Sequence, residues 1–178
     1  MFGRIIQSHF PDPLGFGKSP TRFSDPRRRK PDNRFGVIYL GQSLKVCFIE
    51  TILRDRRNGK ISDFPIAETE LAARSFVRVR VSSPLSLVDL RGDAPIRMGI
   101  PSDVAGASRQ TLARQWSLAF HEHPDQPDGI IYPSRLNEGT NVAVYSRAAG
   151  KLSATSVRSL MTTAGLADVL NTLRVALV

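Results

Sequence analysis

Residues 34–53, RFGVIYLGQSLKVCFIETIL, leave a chain few ways to fold. Residues 35–40 are apolar almost throughout, which reads as a strand buried on at least one face. Gly41 and Gln42 interrupt the run. Ser43 is then a good helix N-cap, the residues from Leu44 onward are helical in composition, and Asn58-Gly59 is a natural stop. The expectation is strand, turn, helix.

Glu50 stands out within that helix. Its neighbours one turn away are Val46, Cys47, Leu53 and Arg54, and three of the four are apolar. The carboxylate therefore lies in or beside the stripe that faces the core, where it needs a partner or a wet cleft. One reading is a Glu50–Arg54 ion pair reaching to water. The other is a cleft carboxylate with a chemical role.

The rest of the chain supplies strands and helices without regular alternation. Residues 2–6 read as an edge or entry strand with Arg4 inside it, and prolines and glycines over 11–20 impose a loop. Residues 76–81 alternate, Val77, Val79 and Val81 one way and Arg78 and Arg80 the other, as in a half-buried strand. Residues 85–90, 129–132 and 141–145 read as further strands, and 91–107 as irregular. Residues 108–121 form a helix with a core stripe of Leu112, Trp116, Ala119 and Phe120. Residues 157–178 read as a C-terminal helical segment, amphipathic from Leu166. The result is one α+β domain over residues 1–178, a mixed sheet flanked by helices. Its 178 residues suffice for one real core.

Composition narrows the classes of function. The formal charge is +9, from 25 Lys and Arg against 16 Asp and Glu. It would attract nucleic acid, an acidic protein or a phosphorylated small molecule, and it equally suits a solvated surface that keeps the chain soluble. Arginine dominates the excess and suits bidentate binding of phosphate or carboxylate. Arg27-Arg28-Arg29-Lys30, between prolines, reads as an exposed loop insertion, with a phosphate or partner contact as the other reading. One cysteine, Cys47, permits no intrachain disulfide. No apolar stretch approaches membrane-spanning length, and a cytoplasmic protein is the default. His121 and His123 lack the further ligands a metal site needs, so no metal is expected.

The segments TRFSDP, FGVIYLGQSLKVCFIET and DGIIYPSRLNEGTNVAVY resemble the RES domain, named for an arginine, a glutamate and a serine. The resemblance runs from about Arg4 to Tyr145. It places Arg22, Glu50 and Ser134 on the three naming positions, Tyr39 on a tyrosine before the helix, and Arg4 on a second arginine near the start. Arg34 is a rival for the arginine role, because members often carry Gly-Arg-Trp-Asn where this chain has Thr21-Arg22-Phe23-Ser24.

The resemblance implies a fold like that of ADP-ribosyltransferases. It also implies a toxin of a toxin–antitoxin pair whose Xre-type antitoxin makes most of the DNA contacts. The implied substrate is NAD, cleaved at the nicotinamide–ribose bond by hydrolysis or phosphorolysis, or used to ADP-ribosylate a protein target. On that reading Arg22 and Arg4 hold the pyrophosphate, Tyr39 packs on the nicotinamide side, Glu50 stabilises the transition state and Ser134 hydrogen-bonds substrate. Two other classes stay open: a basic nucleic-acid-binding module, and a non-catalytic interaction protein in which Glu50 is a buried pair.

Overall fold

The computed structural model describes residues 2–17, 19–27 and 33–178. Arg28, Arg29 and Lys30 of the basic run lie outside the described residues. In chain order the elements are β1 (Phe2–Gln7), β2 (Val37–Gly41), α1 (Leu44–Phe48), a π-helical turn (Ile49–Leu53), β3 (Phe64–Ile66), α2 (Glu68–Ala72), β4 (Arg74–Val81) and β5 (Leu87–Asp89). There follow α3 (Ala94–Arg97), α4 (Asp103–Gly106), α5 (Thr111–Glu122), β6 (Gly129–Pro133), β7 (Thr140–Tyr145), β8 (Leu152–Ser159), α6 (Leu166–Thr172) and β9 (Val175–Leu177).

Seven strands form one sheet in the order β5-β6-β7-β2-β1-β4-β8, antiparallel except for the parallel β5–β6 pair. A small parallel sheet joins β3 to β9. Strand alternation sorts the cores. Ile38, Leu40, Val77, Val79, Val142 and Val144 pack on one face. On the other face two packs stand side by side. One gathers α1, the π turn, α2 and α6 around Phe48, Ile52 and Leu71. The second gathers α4, α5 and the loop at Phe23 over β2, β6 and β7.

The two packs meet where the sheet opens. β1 pairs with β4 along its whole length, and β2 with β7 along its whole length. Between β1 and β2 the one paired position is Gly3 with Gly41. Both glycines are needed there. A Cβ on Gly3 would come within 2.5 Å of the Phe76 ring, and one on Gly41 within 2.8 Å of Cys47 Sγ.

Several expectations are corrected. The segment at 2–6 is a central strand, not an edge strand: it pairs with β2 on one side and β4 on the other, and its Ile5 and Ile6 are buried on opposite faces. Ser43 does cap the helix, accepting the Val46 N–H at 3.2 Å, but the helix stops at Leu53 rather than Asn58. It widens into a π turn, closed by Arg54 N–H to Ile49 O at 2.6 Å, and Arg54 then takes φ 34°. The stripe of α5 holds at Leu112, Trp116 and Phe120, which pack on the core, but Ala119 is exposed and Ala113 and Ser117 are buried beside it. The polar Ser117 is accommodated by donating to Phe23 O at 2.7 Å.

The segment 157–178 is only partly helical. It holds the end of β8, the short α6 and β9, whose β-branched and apolar residues find strand partners in β4 and β3. Residues 91–107, read as irregular, contain two single-turn helices. No helix of the described residues is long and apolar enough to cross a membrane.

Candidate active site

A cleft of about 300 Å³ lies at the opening between β1 and β2. Arg4 and Ile5 of β1 form one side of its floor, and Tyr39, Leu40 and Gly41 of β2 the other. Cys47, Glu50, Thr51 and Arg54 descend from α1 and the π turn. Thr21 and Arg22 come from the loop before β2, Tyr132 and Arg135 from β6 and its end, and Asn141 from β7. Four arginines thus surround one carboxylate.

Glu50 is held from across the sheet. The Asn141 side-chain amide donates to its Oε1 at 3.0 Å. Asn141 pairs with Gly41 in the β2–β7 ladder, and the missing Gly41 side chain leaves room for helix α1 to settle above them. Val46, Cys47 and Leu53 are buried, as the helical spacing requires, so the packing of α1 aims Glu50 into the cleft. The Glu50–Arg54 ion pair does not form among the described residues. Arg54 instead leaves the helix at its positive φ and joins the rim.

Arg22 is the cation with the most to offer a ligand. Burial pulls its pKa below the ordinary arginine value, and its buried Nη1 has no hydrogen-bond partner among the described residues. Such a group is stabilised by an anion that restores the lost hydration. Tyr39 sets its position. The Tyr39 hydroxyl accepts the Phe23 N–H at 2.8 Å and shares a 2.9 Å hydrogen bond with Thr21 Oγ1, bracketing Arg22 on both sides. Burial raises the pKa of this phenol.

Below the loop, the buried Asp25 carboxylate accepts from Arg27 and from the Phe35 N–H. Burial would raise its pKa, but those bonds outweigh it and hold the carboxyl below the usual range.

Arg4 serves a neighbouring loop. Its Nη1 donates to Gly15 O at 3.0 Å and Pro13 O at 3.3 Å, while its buried Nε has no partner. Burial lowers its pKa as well. Cys47 lines the cleft as a thiol, since burial pushes its pKa up to about 12.

The expected site residues divide. Arg4, Arg22, Tyr39 and Glu50 line one cleft. Ser134 is buried behind it: its Oγ accepts the Leu136 N–H at 3.1 Å, its N–H donates to Gly139 O, and its carbonyl accepts the Glu138 N–H. It shapes the turn that presents Arg135. Arg34 is absent from that lining, whereas Arg22 is part of it.

Thr21, Arg54, Tyr132, Arg135 and Asn141 were not anticipated. Arg54, one helical turn from Glu50, carried a signal; the others lie on strands and loops far apart in sequence. Tyr132 is almost fully buried, burial raises its pKa well above 10, and its hydroxyl makes no hydrogen bond among the described residues. Arg135 forms an ion pair with Asp55, tying the rim to the segment after the π turn.

The RES domain family profile matches residues 3–163. The chain belongs to the RES domain family. A relative from Sinorhizobium fredii (strain NBRC 101917 / NGR234), named probable toxin y4kH, is 44% identical over 109 residues, covering 61% of this chain and 86% of the relative. The fold is also that of a solved chain from the M. tuberculosis MbcT–MbcA toxin–antitoxin complex. That match has a TM-score of 0.65 at 20% identity and covers 97% of this chain and 87% of the other. In this RES domain, the open seam between β1 and β2 brings Arg22 and Glu50 into one cleft.

Proposed function

We propose that this RES domain is the toxin of a toxin–antitoxin pair and that it cleaves the nicotinamide–ribose bond of NAD. The observation that carries the reading is Glu50: one carboxylate, oriented by Asn141, inside a cleft whose other charged residues are four arginines. The toxin reading is supported by the name of the Sinorhizobium relative and by the fold shared with the M. tuberculosis complex.

The chemistry follows from the charges. The arginines grip a pyrophosphate by charge-assisted hydrogen bonds. Arg22, with a buried Nη1 still to satisfy, is the primary contact, and Arg54 and Arg135 add positive charge at the rim. When the C1′–N bond of NAD breaks, its electron pair goes to the nicotinamide nitrogen, which becomes neutral. The ribose is left with oxocarbenium character. Glu50 stabilises that developing charge and holds a ribose hydroxyl. Tyr39 keeps Arg22 in place and Tyr132 offers its free hydroxyl and ring face to the nicotinamide side. An acceptor adds at C1′ and gives up a proton: water yields ADP-ribose, phosphate yields its 1″-phosphate, and a protein side chain yields an ADP-ribosylated target. The partner is an Xre-type antitoxin that covers the cleft.

The test is nicotinamide release from NAD by the purified chain, with and without phosphate, beside Glu50→Gln. Release by the wild type alone supports the reading, and the phosphate dependence identifies the acceptor. Labelled NAD in a cell lysate adds the protein-acceptor arm. Absence of turnover and of transfer in all three arms would overturn it.

A further inference from the structure

The far edge of the large sheet carries a second feature, remote from the cleft. β8 hydrogen-bonds to β4 on one side, and no strand of the described residues lies beyond it. A regular stretch follows the irregularity at Arg78 and Val79: Ser156 pairs with Arg78, Val157 with Val77 and Arg158 with Phe76. Alternation therefore puts Arg78, Ser156 and Arg158 on one face and Val157 on the other. The first set, with Phe76, Thr163 and Ala164, lines a depression of about 170 Å³. Val157 is 51% exposed, although its partner Val77 is fully buried.

The charge here is one-sided. Residues 71–88 and 139–167 contain no Asp or Glu. Within β4 and β8, Arg74 pairs with Glu70, whereas Arg78, Arg80 and Arg158 are exposed and form no ion pair among the described residues. A second copy of this chain is a poor occupant, because pairing β8 with itself would bring like charges together. A single-stranded nucleic acid would satisfy the arginines but would leave Val157 and the outward backbone groups of residues 156–158 unused; beyond them Ser159 O already accepts from the Thr162 and Thr163 hydroxyls.

We infer that the Ser156–Arg158 edge of β8 receives an extended, acidic segment of a partner protein, added as a further strand. Its backbone continues the sheet, an Asp or Glu enters the depression between Arg78 and Arg158, and an alternating apolar residue covers Val157. The inference stands apart from the NAD reading, since none of these residues lines the cleft.

The probe is a labelled peptide of alternating Asp and Val, followed by fluorescence anisotropy with the full chain. Binding should weaken by about tenfold or more in Arg78→Glu/Arg158→Glu, and an alternating Lys-Val peptide should bind that variant better than it binds the wild type. Methylating alternate peptide nitrogens should also weaken binding to the wild type, because the ladder loses its donors. Far-UV circular dichroism checks folding, and Arg78→Gln/Arg158→Gln carries the test should the reversed pair not fold. Cleft chemistry should be unchanged in either variant. No binding of the Asp-Val peptide, equal binding of the methylated peptide, or tighter binding of a single-stranded RNA through the same arginines would each overturn the inference.

Discussion

Asn141 and Glu50 lie 91 positions apart in sequence and 3.0 Å apart in space, amide to carboxylate. The amide can only donate at this contact, so it fixes one carboxylate oxygen and leaves the other to the cleft. Removing the amide in Asn141→Ala should lower turnover by about ten- to a hundredfold, the worth of a hydrogen bond to a charged group, with little change in KM. Steady-state kinetics would check the split. A larger rise in KM than fall in kcat would mean that Asn141 binds substrate rather than orienting Glu50.

Glu50→Gln keeps the shape and loses the charge. Turnover of NAD should fall by about a hundredfold or more, while NAD affinity measured by calorimetry stays within a few-fold. Full turnover in this variant would remove Glu50 from the chemistry.

Tyr39→Phe should act on the loop rather than on the reaction. It leaves the Phe23 N–H and Thr21 hydroxyl without their partner, at about 1–3 kcal/mol. The midpoint of thermal unfolding should drop, and KM should rise more than kcat falls as Arg22 loses its position. An unchanged unfolding midpoint would contradict the bracing role.

Arg22 and Arg34 can be told apart directly. Arg22→Ala should raise the KM for NAD by about tenfold or more, the loss of charge-assisted hydrogen bonds. Arg34→Ala, outside the cleft lining, should leave KM unchanged in the folded protein. The opposite pattern would move the arginine role to Arg34.

His121 supplies a pH dependence of stability. Its ring stacks on Phe35 at 4.1 Å, and burial, helped by Arg147 and Arg27, lowers its pKa from 6.5 to about 4. Asp25 and Glu122 oppose that shift without reversing it. Between those values the unfolded chain binds a proton that the folded chain does not. Stability should therefore fall as pH drops from about 6.5 to about 4, and this contribution should be flat above and below. His121→Phe keeps the stack and removes the titration, so its denaturant midpoint should fall less over the same window.

The local signals read well where one element carried both pattern and punctuation. Ser43 caps its helix, the alternation of Val77 and Val79 marks a buried strand face, and the apolar run before Gly41 is β2. They failed where tertiary partners decided. Residues 152–159 look unremarkable as a strand until β4 stands beside them, and residues 175–177 join a sheet only because residues 64–66 come alongside. The helix after Ser43 ends early because the π turn lets Arg54 leave at a positive φ, which helical spacing cannot foretell.

By itself the sequence determined the α+β class, the strand–turn–helix around residue 41 and a carboxylate on the apolar face of that helix, because these depend on the spacing of neighbours along the chain. It also carried the family resemblance on Arg22, Tyr39, Glu50 and Ser134. Only the tertiary structure decided that Ser134 stands behind the cleft, that Tyr39 spends its hydroxyl on the Arg22 loop, and that Asn141, Tyr132, Arg54 and Arg135 complete the lining. The reason is the seam in the sheet. One paired position between β1 and β2 opens a gap, and which side chains meet across it depends on strand order and register, which no local spacing encodes.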